Sequence, residues 1–314
     1  IQPFDFADTC RYFSDFGAEE KALIYGITGG TPQYLLQMSE HLSIEDNIKN
    51  TFLNPTSSIY EEPENLLKQE VREPALYNAI ITAIAGGASR MSEISGKVGE
   101  NTSVCSSYIK NLMALGLVKK DTPYGEKESR KSVYAIADHM FRFWYRFIPE
   151  NSSVIGRGAA DLAYRRIAPH LADFMGKVFE VYLKLIQRKI LLDGTSPVEF
   201  SSLGRWWGTD PSTRRQEEID IMGEQDNKTA LFGECKWRQE PVDVGVLETR
   251  VNRSRLFHYS KVELYLFAKI GFTSGCMEQA EQMGNVHLVT YQDILNALQP
   301  EKNNAKKEGT LWRP

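Results

Sequence analysis

Residues 215–236 read RQEEIDIMGEQDNKTALFGECK, and the rest of the chain is organised around them. Glu218, Ile219, Asp220 and Ile221 alternate polar with apolar, the period of a half-buried strand. Gly223-Glu224-Gln225-Asp226-Asn227-Lys228 supplies turn chemistry, and Leu231 to Lys236 returns as a second strand. Glu234 and Lys236 are two apart and so share a face, while Cys235 points the other way, into a core. In simple hairpin register Asp220 stands beside Glu234, so two carboxylates and a lysine converge. Hard divalent cations such as Mg2+ or Mn2+ prefer carboxylate oxygen. A held cation activates water and neutralises phosphate charge, and a nearby lysine can orient the water. The constellation therefore suits phosphodiester hydrolysis. The competing reading is that Glu-x-Lys merely faces water or pairs across an exposed sheet.

Helices and strands alternate on both sides of this hairpin. A long helix is expected near Ala168 to Lys189, with Leu171, Phe174, Met175, Val178, Phe179, Tyr182, Leu183 and Ile186 as its apolar stripe. Glu180 lies beside that stripe, where it can reach a metal or pair with Lys184 one turn on. A first strand is expected at Glu199 to Leu203, before Gly204-Arg205-Trp206-Trp207-Gly208. A helix over Val242 to Leu256, a buried strand over Val262 to Ala268, a helix over Ser274 to Met283 and a strand over Val286 to Thr290 follow. Alternation of this kind gives an α/β unit with a mixed central sheet. Residues 301–314 read as a solvated tail.

The order of acid on a helix, strand ending in Asp, turn, strand with Glu-x-Lys, then helix resembles the PD-(D/E)xK superfamily, the restriction-endonuclease-like fold. The resemblance implies a metal-dependent nuclease with Asp220, Glu234, Lys236 and Glu180 as catalytic residues. Asp220, Glu234 and Glu180 would be the metal ligands. Ile219 stands where the family often has proline. The words EEIDIMG, LFGECKW and FAKIGFTSG look more narrowly like the C-terminal part of archaeal-type AAA ATPases.

Residues 73–148 predict a winged helix-turn-helix. Pro74 opens a helix with Leu76, Tyr77, Ile80, Ile81 and Ile84 on one face, and Gly86-Gly87 ends it. Met91, Ile94 and Val98 mark a second helix. Val104, Tyr108, Ile109, Leu112 and Met113 mark a third, closed by Gly116. A hairpin over 117–136 completes the pattern. Ser103, Ser106, Ser107 and Lys110 would face outward on the third helix. Lys119, Lys120, Lys127, Arg130 and Lys131 would line the wing, giving contacts to DNA phosphates rather than base edges. A winged helix used only for protein packing is the competing reading. The word SEISGKVGENTSVCSSYIKNLMALGLVKK resembles the same ATPase family.

Residues 1–72 read as a small helical unit. Helices are expected over Asp5 to Phe16, over Glu19 to Tyr25 until Gly26, after Thr31-Pro32, and over Ser43 to Phe52. The word YGITGGTPQYLLQM resembles the lid of the same ATPases, which implies closure over bound ATP. No G-x-x-x-x-G-K-[ST] occurs in the chain, so ATP binding is expected to need an ATPase core beyond these residues.

Between these units Asp138 to Phe147 is dense in aromatics and predicts an interdomain packing helix, with His139 as a cap or surface residue. Asn151-Ser152-Ser153 and Gly156-Arg157-Gly158 predict a linker, so the third unit spans 149–314. The chain is thus expected to be a multidomain α+β protein: helical lid, winged helix and nuclease-like unit. Its 314 residues, 42% hydrophobic and 25% charged, suit a protein with substantial cores, and a net charge of −4 leaves DNA contact to local patches. Four cysteines without C-x-x-C spacing argue against zinc and fit a reducing cytoplasm. No apolar run reaches membrane-spanning length. The resemblance implies oligomerisation through the ATPase part. The rival to catalysis is a regulatory or oligomerisation module on a degenerate nuclease fold.

Overall fold

The computed structural model describes residues 2–127, 131–176, 178 and 202–298. Five helices come first: α1 Phe6–Tyr12, α2 Ala18–Thr28, α3 Pro32–Leu35, α4 Ile44–Thr51 and α5 Ser58–Glu70. The starts of α1, α4 and α5 are set by short polar caps. Asp5 accepts from the N–H of Asp8 at 2.8 Å and Ser43 from that of Asp46 at 3.0 Å. The sequence placed a stop at Gly26, but α2 runs through it and ends at Gly29, whose φ of 63° favours glycine. Gly26 serves close packing instead: a Cβ there would lie 2.5 Å from Met175 Sδ.

Three helices, α6 Pro74–Ala85, α7 Met91–Val98 and α8 Thr102–Ala114, precede a hairpin of β1 Val118–Asp121 and β2 Val133–Ile136. The pairing is antiparallel, from Val118 with Ile136 to Asp121 with Val133. Next, α9 His139–Ile155 carries the aromatic run into the core, with Met140, Phe141, Phe143 and Phe147 buried. Residues 151–153 belong to this helix rather than to a linker. Asn151 is buried and donates to the Phe147 carbonyl at 2.9 Å, and Ser152 donates to that of Pro149 at 2.9 Å. These side chains hold the turn that Pro149 weakens. The chain leaves the helix only at Gly156, and α10 Ala160–Ile167 follows. His139 is neither a cap nor a surface residue; Asp138 caps, accepting from Phe141 N–H at 2.9 Å, and His139 is half-buried against the Tyr25 ring.

Among the described residues the sheet has five strands, in the order β3 Leu203–Thr209, β4 Gln216–Glu224, β5 Thr229–Lys236, β6 Lys261–Ala268 and β7 Val286–Thr290. The first three pair antiparallel and the last two join in parallel, so the sheet is mixed, as expected. Among the described residues the strand before β4 begins at Leu203 and runs through the Gly204–Gly208 segment. Its tryptophans alternate: Trp206 packs edge-on against Phe257 at 5.0 Å, and Trp207 is buried with its indole N–H donating to the Lys131 carbonyl at 2.9 Å. Residues 199–201 lie outside the described residues.

Helices α11 Val244–Ser254 and α12 Ser274–Met283 make the parallel crossovers and cover one face. There Leu247, Cys276 and Ala280 pack on Ile219, Met222, Phe232, Leu264 and Leu266. The other face presents Ile221, Leu231, Cys235, Tyr265 and Phe267 to the large core built by the earlier helices and by α13 Tyr291–Leu298. The sheet is therefore a layer between helices, with its central strand β5 buried on both sides. No helix among the described residues is long and apolar enough to cross a membrane.

Candidate functional site

The candidate site forms where the β4–β5 ladder stops. Pairing runs from Glu224 with Ala230 to Ile221 with Gly233, and one step further would set Asp220 opposite Glu234. On its other side β4 is irregular: Gly204 pairs Met222, and the next pair is Trp206 with Ile219. Arg205 alone therefore faces both Asp220 and Ile221, which is a β-bulge. Its consequence is visible in the packing. Ile219 and Met222 reach one core and Ile221 the other, whereas strict alternation would put Ile219 and Ile221 together. The half-buried strand read from the sequence is thus buried on both faces here, and Asp220 is only 7% exposed.

A buried carboxylate needs partners. Asp220 Oδ2 accepts from the backbone N–H of Cys235 at 2.8 Å, taking over where the ladder ends. Glu234, 6% exposed, meets three cationic side chains. Lys236 Nζ donates to its Oε1 at 2.6 Å. Arg250 Nη2, from α11, lies against Oε2, and Arg253 Nη1 is 3.7 Å from the same oxygen. Arg253 also donates through Nε to Glu217 at 2.6 Å. Asp220, Glu234 and Glu217 are thereby matched by Lys236, Arg250 and Arg253.

Arg250 is fully buried, and its Nε and Nη1 have no hydrogen-bond partner among the described residues. Burial pushes its guanidinium down to about 10, with Asp220 pulling upward and Arg253 adding to the fall. It stays charged at neutral pH and acts as an internal counterion. Sequence reading missed it. The one available signal was an arginine interrupting the apolar positions Val244, Leu247 and Val251 of a helix that had to cover the sheet.

Asp220, Glu234 and Lys236 are thus brought together, while Glu180 and Arg130 lie outside the described residues. Among the described residues no cluster of three His, Cys, Asp or Glu side chains could hold a metal. The donor chemistry still fits a hard divalent ion: the buried carboxylates of Asp220 and Glu234 offer oxygen, with Glu234 facing lysine and arginine.

The basic residues of the preceding unit are spread differently. Lys110, Lys120 and Lys127 are exposed and Lys119 is half-buried. Lys119 pairs with Asp121 at 3.2 Å and the exposed Lys131 with Glu126 at 3.0 Å. Tyr124, just after β1, leans on the sheet edge. Tyr124 N–H donates to the Arg205 carbonyl at 2.8 Å, and a Cβ on Gly204 would lie 2.6 Å from the Tyr124 ring.

A solved O-methyltransferase, NcsB1 from neocarzinostatin biosynthesis, overlaps 69% of the chain and 62% of its own, at 13% identity and a TM-score of 0.18. An uncharacterized protein of Methanocaldococcus jannaschii is 32% identical over 240 residues, 76% of this chain and 52% of that protein. The chain thus spans about half the length of that relative. Residues 144–251, from the aromatic helix α9 through the candidate site to Arg250, match the model of DUF234, a family of archaeal and bacterial proteins of unknown function.

Proposed function

We propose that the sheet-bearing part of the chain is a metal-dependent phosphodiester hydrolase acting on DNA, of the PD-(D/E)xK type. The observation that carries this reading is the burial of both Asp220 and Glu234 where the β4–β5 ladder ends, with Asp220 on the Cys235 N–H and Lys236 on Glu234. Burying charge costs stability and is not repaid by an ion pair alone. A functional demand on that spot accounts for it better than folding does. Asp220 and Glu234, with Glu180, would hold the ion. The ion would neutralise phosphate charge and lower the pKa of its water. Lys236 would orient the attacking water and steady charge developing on the phosphate. Cys235 N–H fixes the Asp220 carboxylate, so the ligand is oriented before any ion arrives.

Residues 73–148 are read as a winged helix contacting phosphates through Lys110, Lys119, Lys120, Lys127, Arg130 and Lys131. Residues 1–72 are read as the lid of an AAA ATPase. ATP binding and homo-oligomerisation would belong to an ATPase core outside these 314 residues. The four cysteines, Cys10, Cys105, Cys235 and Cys276, are all free, which fits a reducing cytoplasm.

A second reading is favoured by one observation. Arg250 already supplies Glu234 with a buried positive charge, so the pair is compensated without metal. On that reading the unit is a regulatory or oligomerisation module on a degenerate nuclease fold. Time-resolved incubation of labelled duplex, branched and single-stranded DNA with Mg2+, Mn2+ or chelator separates the two. Metal-dependent cleavage lost in Asp220→Ala supports the hydrolase; identical behaviour of both proteins on every substrate supports the module.

A further inference from the structure

The β3–β4 hairpin outlasts the sheet that holds it. β4 leaves β5 after Ile221 and Gly233, yet β3 and β4 stay paired to Thr209 with Gln216, and the turn 210–215 lies beyond. The hairpin therefore forms an arm on the same end of the sheet as Asp220, Glu234 and Lys236. Its tip lies about 15 Å along the strand from Asp220, at roughly 3.3 Å per residue.

The tip is built. Asp210 accepts from Ser212 N–H, Ser212 Oγ and Thr213 Oγ1, each at 2.7 Å. Arg214 N–H donates to the Asp210 carbonyl at 2.8 Å and Asp210 N–H to that of Arg215 at 2.9 Å. Arg214 has a φ of 58°, the only positive value outside glycine among the described residues. Any residue with a Cβ is disfavoured in that conformation, and nothing in the core requires arginine there. Both Arg214 and Arg215 are exposed, and no side-chain hydrogen bond or ion pair engages either among the described residues. Their neighbours differ: Arg205 is paired with Glu218 and Arg253 with Glu217.

We propose that this arm is a nucleic-acid contact surface, with Arg214 and Arg215 gripping the phosphate backbone about four nucleotides from the scissile position. That spacing follows from one charge per roughly 3.4 Å of each strand. Asp210 spends its carboxylate inside the turn, so the arginines set the charge the tip presents outward. Such contacts hold a strand in register and are indifferent to its sequence. The assignment rests on the hydrolase reading for its substrate class.

The test measures binding rather than cleavage. Affinity of the whole chain for a labelled 30-base-pair duplex and for the matching single strand is followed against salt in chelator, for wild type and Arg214→Ala/Arg215→Ala. Arg165→Ala/Arg166→Ala, exposed on α10, removes the same charge elsewhere. The arm variant is expected to bind on the order of tenfold more weakly at low salt. Its log K against log salt slope should shrink by about 2, equally for unrelated sequences. The α10 variant should follow wild type. Unchanged binding in the arm variant, an equal loss in the α10 variant, or no binding by wild type overturns the proposal. Arm-dependent binding without cleavage in Mn2+ upholds the arm and sinks the hydrolase.

Discussion

The carboxylate of Asp220 accepts the backbone N–H of Cys235 at 2.8 Å, at the step where strand pairing between β4 and β5 ends. This bond ties the candidate site to the fold. Asp220→Asn can keep an acceptor oxygen there, whereas Asp220→Ala leaves a buried N–H without a partner. Asp220→Ala is therefore expected to lose about 1–3 kcal/mol in urea unfolding, and Asp220→Asn less than half of that. Both should lack cleavage. Equal stability of the two variants would remove the bond's structural role.

Arg250 and Glu234 predict a strong energetic coupling. Removing one partner of a buried pair strands the other, so Arg250→Met alone should cost about 3–5 kcal/mol. Adding Glu234→Gln should recover part of that loss. A double-mutant cycle by denaturant unfolding should show non-additivity of 1 kcal/mol or more. Additive losses would mean that Lys236 alone satisfies Glu234.

Part of this was legible in the sequence. The strands either side of Gly223–Lys228, the mixed sheet and the convergence of Asp220, Glu234 and Lys236 follow from alternation and turn chemistry. The bulge at Asp220–Ile221 does not, because it depends on Arg205 facing two residues of the next strand. Two carboxylates at one spot, taken alone, would repel each other. The structure instead surrounds them with Lys236, Arg250 and Arg253, two of which come from a helix more than ten residues downstream. Asn151 failed as a linker signal because its amide was spent on the Phe147 carbonyl.

His139 makes stability depend on pH. Burial lowers its pKa from 6.5 to about 4. Between those values the unfolded chain binds a proton that the folded chain refuses, so stability falls as pH drops from 6.5 towards 4 and levels off below. The contribution is on the order of 3 kcal/mol at most. Urea unfolding across pH 4–7 should show this slope in wild type and lose most of it in His139→Phe. An identical slope in both proteins would place the effect on carboxylates held below their usual range, such as Glu93 under the Ser89 and Arg90 N–H groups.

Gly204 controls the loop between β1 and β2. A valine there meets the Tyr124 ring and should push the loop off the sheet edge. Gly204→Val is expected to raise amide hydrogen exchange across residues 122–127 while strands β5 and β6 keep their protection. Unchanged exchange at 122–127 would show that Tyr124 does not anchor the loop.

The most direct measurement of the hydrolase reading is cleavage of labelled DNA in Mn2+ by wild type, Asp220→Asn, Lys236→Ala and Glu180→Gln. Wild type should nick or cut only with metal, and Asp220→Asn should be inactive while folded. Lys236→Ala should bind metal and cut more slowly, and Glu180→Gln should respond to metal concentration. Cleavage by Asp220→Asn at the wild-type rate, or none by wild type on duplex, branched or single-stranded DNA, would contradict the account.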